Sequence, residues 1–335
     1  MNPAFDYLPM NASRMIPIVA ITFVLVMSFL FSCNKNYPIP DDIIKAQALM
    51  LERPDSALLI LEGMKGVEHL PAKLKATYNL CLIEARDKNY IVHTSDSLIN
   101  TVVAFFEKED DPLMKAKAYY YQGRVNKDLQ NSEKAAFAFK KAETFVNETS
   151  DYRLKALICT QMGGVFHYQR LFNDAIVWHE KAKDALLLAG DSVSISYILR
   201  DIASAYSNLK EYDKSLSLFN DAYKVADANN QLSVASNILY DIALMYIQRQ
   251  MQDSVIVYMK KALLKDSALV NFEGTCLTLA DEYRKINKLD SARYYLSRCA
   301  NSNSLFTKAG YYYFLANIEE DAGNYKKSLD AYKIS

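Results

Sequence analysis

Glycine and proline are scarce in this sequence, with 9 and 8 residues among 335. A β-sandwich or β-barrel needs many tight turns, which these residues usually supply, so their scarcity argues against an all-β fold. The sequence also lacks an excess of either charge, because it contains 39 basic and 39 acidic residues. No overall positive field is available to attract nucleic acid. The abundant Ala, Leu and Lys are instead typical of helices, so we expect an all-α protein that does not bind nucleic acid.

Long apolar runs are also lacking, apart from residues 15–31, which read MIPIVAITFVLVMSFLF and carry no charge. This run ends in Leu30, Phe31, Ser32 and Cys33, which resembles the lipobox of bacterial lipoproteins. The resemblance implies that residues 1–32 are a signal peptide and that the Cys33 thiol is acylated after cleavage. An uncleaved N-terminal anchor remains the alternative, because the run is long enough, at about 26 Å, for a short membrane span.

The residues after the cysteine are expected to form a tether. Residues 33–40 include Pro38 and Pro40, which favour an extended backbone. Asn34 stands where the lipoprotein family uses Asp to retain a protein in the inner membrane. The resemblance therefore implies a lipid-anchored protein of the bacterial cell envelope, in the outer membrane rather than the inner one.

The rest of the chain is repetitive. A small residue recurs inside an apolar helical pattern at intervals of 40, 40, 40, 37 and 36 residues. These six small positions are Gly123, Gly163, Ala203, Ala243, Ala280 and Ala316. A second small or β-branched residue lies twelve positions after each of the first four. Small residues at such a spacing allow two helices to cross closely.

This pattern resembles the tetratricopeptide repeat, in which two antiparallel helices form each copy. Ala203 with Tyr206, then Ser215, Phe219 and Ala222, matches the family pattern. The resemblance implies a right-handed α-solenoid in which residues 112–335 form six repeats, the last of them uncapped. Residues 41–111 are expected to form degenerate helical pairs. In the family, the first helices of the pairs line a concave groove, so we expect these groove residues: Tyr120, Arg124, Lys127, His167, Arg200, Ser204, Tyr240, Arg284, Tyr313 and Asn317.

No motif for catalysis, a metal or a cofactor is found. The histidines and cysteines lack metal-ligand spacing, and Gly163 and Gly164 belong to a helix rather than to a phosphate-binding loop. Cys81, Cys159, Cys276 and Cys299 fall at apolar helical positions and are expected to be buried thiols, although a disulfide between Cys276 and Cys299 stays open. The protein is therefore not expected to be an enzyme.

Two functions follow from the resemblance. The first is a membrane-anchored scaffold that binds a peptide or protein partner in the groove. The second is the sensor portion of a tetratricopeptide-type membrane regulator whose output domain lies outside this chain, as in similar extracytoplasmic proteins of Bacteroides-type bacteria. Because Leu329 and Tyr332 lie on the last, uncapped repeat, self-association through that repeat is also expected.

Overall fold

The computed structural model describes residues 38–266 and 271–335, and these residues contain sixteen α-helices. Cys33 and the apolar run before it lie outside them. The bounds, in chain order, are α1 Asp41–Leu49, α2 Pro54–Gly63, α3 Ala72–Lys88, α4 Ser97–Phe106, α5 Pro112–Asp128, α6 Ser132–Val146, α7 Tyr152–Tyr168, α8 Phe172–Leu188, α9 Ile195–Asn208, α10 Tyr212–Ala228, α11 Leu232–Gln248, α12 Gln252–Lys265, α13 Phe272–Lys285, α14 Leu289–Ser297, α15 Leu305–Asp321 and α16 Tyr325–Tyr332. No described residue belongs to a β-strand.

The chain forms two compact units, and the boundary between them falls at Ala85 and Arg86, within α3. In the first unit, Ile43 of α1, Leu61 of α2 and Cys81 of α3 share one apolar core. The Tyr78 hydroxyl donates a hydrogen bond to the Leu61 carbonyl at 3.0 Å, which ties α3 to α2. Pro54 begins α2, a position where a missing N–H costs nothing. The predicted division into residues 41–111 and 112–335 remains a prediction.

The second unit stacks helical pairs, and the small positions lie where the two helices of a pair cross. All six small residues are buried. The residue sixteen positions further along, on the second helix, packs against the small one: a Cβ added at Gly123 would lie 2.3 Å from the Phe139 ring, and one added at Gly163 would lie 2.5 Å from the His179 ring. The all-α fold and the solenoid of tetratricopeptide-like pairs are therefore confirmed.

The turn inside each pair is formed in the same way in all six copies. Seven residues after the small position the backbone is left-handed, with φ between 55° and 76°. These residues are Gln130, Arg170, Lys210, Gln250, Asn287 and Gly323. The next N–H bonds back to a carbonyl five residues earlier, as from Asn131 to Asn126 at 2.9 Å, which is the Schellman end of a helix. Only one copy uses glycine there, which explains how a glycine-poor chain makes so many turns.

Candidate functional site

The first helices of the six pairs are α5, α7, α9, α11, α13 and α15. Their solvent-facing side chains form a surface that we call the first-helix face. The candidate binding residues predicted from the sequence all lie on these six helices. Most of the charged ones bond to the first helix of a neighbouring pair.

The first of these links joins α5 to α3 and α7. The Arg124 guanidinium donates to Asp87 at 2.8 Å and to the Gln161 side-chain oxygen at 3.2 Å. The same Gln161 oxygen accepts a hydrogen bond from the Lys127 ammonium at 2.8 Å. Burial lowers the pKa of Arg124, but the charge and hydrogen bond of Asp87 more than reverse this, and the pKa is raised. The pKa of Lys127 is lowered, by burial first and then by Arg124, and the acceptor of its hydrogen bond is a neutral amide.

Two further links use arginine and aspartate. Arg200 of α9 donates to Asp241 of α11 at 2.5 Å. Arg284 of α13 donates to Asp321 of α15 at 2.9 Å, and also to Asp281 on its own helix at 3.0 Å. We refer to the three sets of bonds between first helices as the ladder. Because these charges are partly shielded from water, the ladder fixes the spacing of neighbouring first helices.

The predicted aromatic residues differ in exposure. Tyr120 is only 5% exposed and packs against Tyr121 and Phe139, so its ring supports the core behind the face. Tyr313 is 50% exposed and lies edge-on to Tyr332, whose hydroxyl donates to Asn317 at 2.7 Å. A ligand could therefore reach the Tyr313 ring but not the Tyr120 ring.

The remaining candidates line the middle of the face. The Tyr240 hydroxyl accepts a hydrogen bond from Asn271 at 2.7 Å. Ser204 is half-buried on α9. The His167 ring meets Phe172 edge-on, and burial lowers the pKa of His167, so its imidazole is neutral at neutral pH. The binding role of each of these residues stays a prediction.

Several residues of this face were missed by the sequence reasoning, namely the acceptors of the ladder and Asp201. Asp201 and Asp241 both lie two residues before a small position, one repeat apart in sequence. This recurrence was the signal that could have identified them. Burial, first, and the nearby Asp241 raise the pKa of Asp201 to about 6, although the Arg200 charge opposes the shift. Burial also raises the pKa of Asp241 despite its bond to Arg200.

The four cysteines of the described residues are buried free thiols. The Cys299 thiol donates to the Glu273 carbonyl at 3.4 Å and also interacts with the Cys276 thiol. The contact with the Cys299 thiol, as the largest cause, lowers the pKa of Cys276, while burial opposes the shift. The described residues contain no group of three or more His, Cys, Asp or Glu side chains that could hold a metal ion.

Two other features bear on the sequence expectations. Leu329 and Tyr332 on α16 are 57% and 39% exposed, and self-association through them stays a prediction. Among the helices that the structure describes, none combines the length and apolar character needed to cross a membrane.

No protein-family model and no curated protein matches this chain. Solved structures do resemble it. The apo form of RapI superposes with a TM-score of 0.70 at 13% sequence identity, over 88% of this chain and 95% of that one. NprR in complex with its cognate peptide NprX gives 0.59 at 15% identity, over 88% of each chain. A signal-transduction ATPase with a tetratricopeptide repeat sensor, from Pyrococcus horikoshii, gives 0.62 at 18% identity, over 97% of this chain and 53% of that one. At these identities the likeness shows the fold alone.

Proposed function

We propose that this chain is a binding scaffold that holds a peptide or protein partner on the first-helix face. The observation that carries the proposal is the row of polar and aromatic side chains that six successive first helices present, with the ladder joining α5 to α7, α9 to α11 and α13 to α15. Such a row suits an extended peptide, whose backbone groups need donors and acceptors along their whole length. The structure of NprR with its cognate peptide supports this proposal by analogy of fold.

The scaffold is proposed to act without catalysis. The charged residues of the face are held in ion pairs and in hydrogen bonds to a side-chain amide, and none of these bonds pairs a nucleophile with a general base. The fold by itself does not exclude an enzyme, so this part of the proposal depends on the side chains of the face.

Filling the face should abolish binding. Ser204→Trp places an indole in the middle of the face, so we expect at least about a tenfold loss of affinity because a peptide can no longer lie across α9. The measurement is selection of random dodecapeptides from a displayed library on the full-length protein in detergent micelles, followed by fluorescence titration of the selected peptides.

The matched control is Ser217→Trp, which makes the same change at an exposed position of the second helix α10. It should bind the selected peptides as the wild type does. If the wild type selects no peptides, or if both tryptophan variants lose binding equally, the first-helix face is not the binding site.

We further propose that Cys33 carries the lipid anchor and that the protein works in the bacterial cell envelope, at the outer membrane rather than the inner one. The support is the apolar run that ends at Cys33. Two or three acyl chains give stable anchoring without a membrane-spanning helix.

Mass spectrometry of the N-terminal peptide from membranes of the native host tests the anchor. The expected result is a mature chain that begins at an acylated Cys33, and a Cys33→Ala variant that keeps its uncleaved N-terminus. An intact, unacylated N-terminus on the wild-type protein would contradict the lipid anchor and favour the uncleaved alternative.

The second candidate function is the sensor portion of a membrane signalling regulator with a separate output domain. The similarity to the sensor-containing ATPase supports it, because that chain joins a tetratricopeptide sensor to further domains. Both candidates use the same face, and they differ in whether binding is passed on to an output domain.

A further inference from the structure

The ladder follows one rule in two places. The residue two positions before a small position accepts hydrogen bonds from a cation of the preceding first helix. Gln161 on α7 accepts from Arg124 and Lys127 of α5. Asp241 on α11 accepts from Arg200 of α9. In both places the acceptor is therefore bonded to a cation from the preceding first helix.

Asp201 on α9 occupies the same position in the repeat between these two, yet no cation of the preceding helix α7 bonds to it. The cations of these two links stand at three repeat positions: three residues before a small position (Arg200), one after it (Arg124) and four after it (Lys127). On the preceding helix α7 the same positions hold Thr160, Gly164 and His167. The Thr160 hydroxyl is used within α7, where it donates to the Ala156 carbonyl at 2.8 Å. The His167 ring packs against Phe172 instead. Among the described residues no hydrogen bond or salt bridge involves the Asp201 carboxylate, and the favourable charge that acts on it is that of Arg200.

The α7 position that corresponds to Arg124 is Gly164, so the helix offers no side chain there. A Cβ added at Gly164 would meet no atom within 4 Å. Arg200, the nearest cation on α9 itself, is already bonded to Asp241. The Arg200 charge attracts the Asp201 carboxylate without bonding to it, and burial, as the larger effect, still raises the pKa of Asp201. A half-buried carboxylate without a hydrogen bond is costly.

We propose that the step between α7 and α9 is a recognition subsite of the first-helix face, and that it takes a basic group of the bound peptide. A lysine or arginine side chain, or the α-ammonium of the peptide, completes the ladder by pairing with Asp201. This inference rests on the proposed function and adds the chemistry of the partner.

Peptide selection tests it. The probe is the same library of random dodecapeptides, offered to the full-length wild type, to Asp201→Asn and to the control Asp184→Asn, which removes an exposed carboxylate from the second helix α8. We expect a fixed Lys or Arg position, or a required free N-terminus, among peptides selected by the wild type and by the control. The peptides selected by the Asp201→Asn protein should have neither a fixed Lys or Arg position nor a required free N-terminus.

Titrations with synthetic peptides then identify the cation. Replacing the basic residue by glutamine should weaken binding to the wild type by about tenfold and leave binding to Asp201→Asn unchanged. If N-terminal acetylation causes that loss instead, the cation is the α-ammonium. The subsite would be overturned if the wild type selected peptides that share no Lys, Arg or free N-terminus. It would also be overturned if the Asp201→Asn protein still selected peptides that share one. In both cases the scaffold function would remain. If the wild type selects no peptide at all, both the subsite and the scaffold function are contradicted.

A second variant supplies the missing cation from the protein. Gly164→Arg places a guanidinium at the repeat position that Arg124 holds on α5, within reach of the acceptor two residues before the next small position. We expect it to pair with Asp201, raise the thermal unfolding midpoint and abolish selection of basic peptides. The Asp201→Asn variant should also melt at a higher temperature at pH 7.5, because it removes a half-buried charge that forms no hydrogen bond. A midpoint that is unchanged or lower in Asp201→Asn would mean that the carboxylate already has a partner, and would overturn the proposal.

Discussion

Replacing Gly163 by alanine should lower the free energy of unfolding by about 1–3 kcal/mol, whereas the same replacement at the adjacent Gly164 should raise it by about 0.5–1 kcal/mol. Both glycines lie inside α7, so each substitution gains the same helix propensity. At Gly163 the added Cβ would lie 2.5 Å from the His179 ring, but at Gly164 it would meet no atom within 4 Å. The difference between the variants therefore measures the close crossing of α7 and α8 alone.

Urea unfolding followed by circular dichroism is the appropriate measurement, with midpoints compared at equal slope. Gly123→Ala provides a second test in the preceding repeat, where the added Cβ would lie 2.3 Å from Phe139. Equal stability of the Gly163 and Gly164 variants would show that the His179 ring can move aside, and would contradict the packing role of the small positions.

The second large effect is expected from His179→Phe, at acidic pH. His179 is 2% exposed and its Nδ1 has no hydrogen-bond partner among the described residues. Burial, first, and the nearby His167 lower the pKa of His179 from 6.5 to about 4. Between these two values the unfolded chain takes up a proton that the folded one does not, so the wild type loses stability as the pH falls from 6.5 towards 4.

Phenylalanine cannot take up that proton, and it reproduces the Gly123 and Phe139 contact of the preceding repeat. We therefore expect His179→Phe to gain about 2 kcal/mol relative to the wild type when the pH is lowered from 7.5 to 4.5. Urea unfolding at the two pH values measures this gain. His69→Asn is the control, because it removes a histidine whose side chain is 85% exposed rather than buried at a helix crossing. A pH-independent difference between His179→Phe and the wild type would show that His179 takes up its proton as readily in the folded protein as in the unfolded one, and would contradict the lowered pKa.

The repeat register was predictable because it depends on a local property. A helix can approach another closely only where a side chain is small, so Gly123, Gly163 and Ala203 mark the crossings through their size and spacing alone. The left-handed turn residues were not predictable in the same way. Gln130 and Arg170 adopt a conformation that usually calls for glycine, because the Schellman hydrogen bonds of the backbone outweigh the strain.

The candidate site was predicted only in part. The resemblance to the tetratricopeptide repeat placed Arg124, Arg200 and Arg284 on one face, because the first helices line the groove in that family. The sequence did not show that Tyr120 is buried. Its exposure depends on the packing of the second helix α6 against it, which a single helix does not reveal. The sequence reasoning also missed Asp201 and the acceptors of the ladder.

The sequence by itself determined the all-helical composition, the order of the pairs and the positions at which they cross, since these depend on residue size and spacing within a few turns of helix. Only the tertiary structure decided which charges are neutralised and which are left over. Arg200 and Asp241 are separated by 41 residues, and they meet because the stacking of successive pairs brings two first helices side by side. In the same stack Asp201 has no bond to a cation of the preceding first helix, and this is the carboxylate for which we propose a basic group of the ligand.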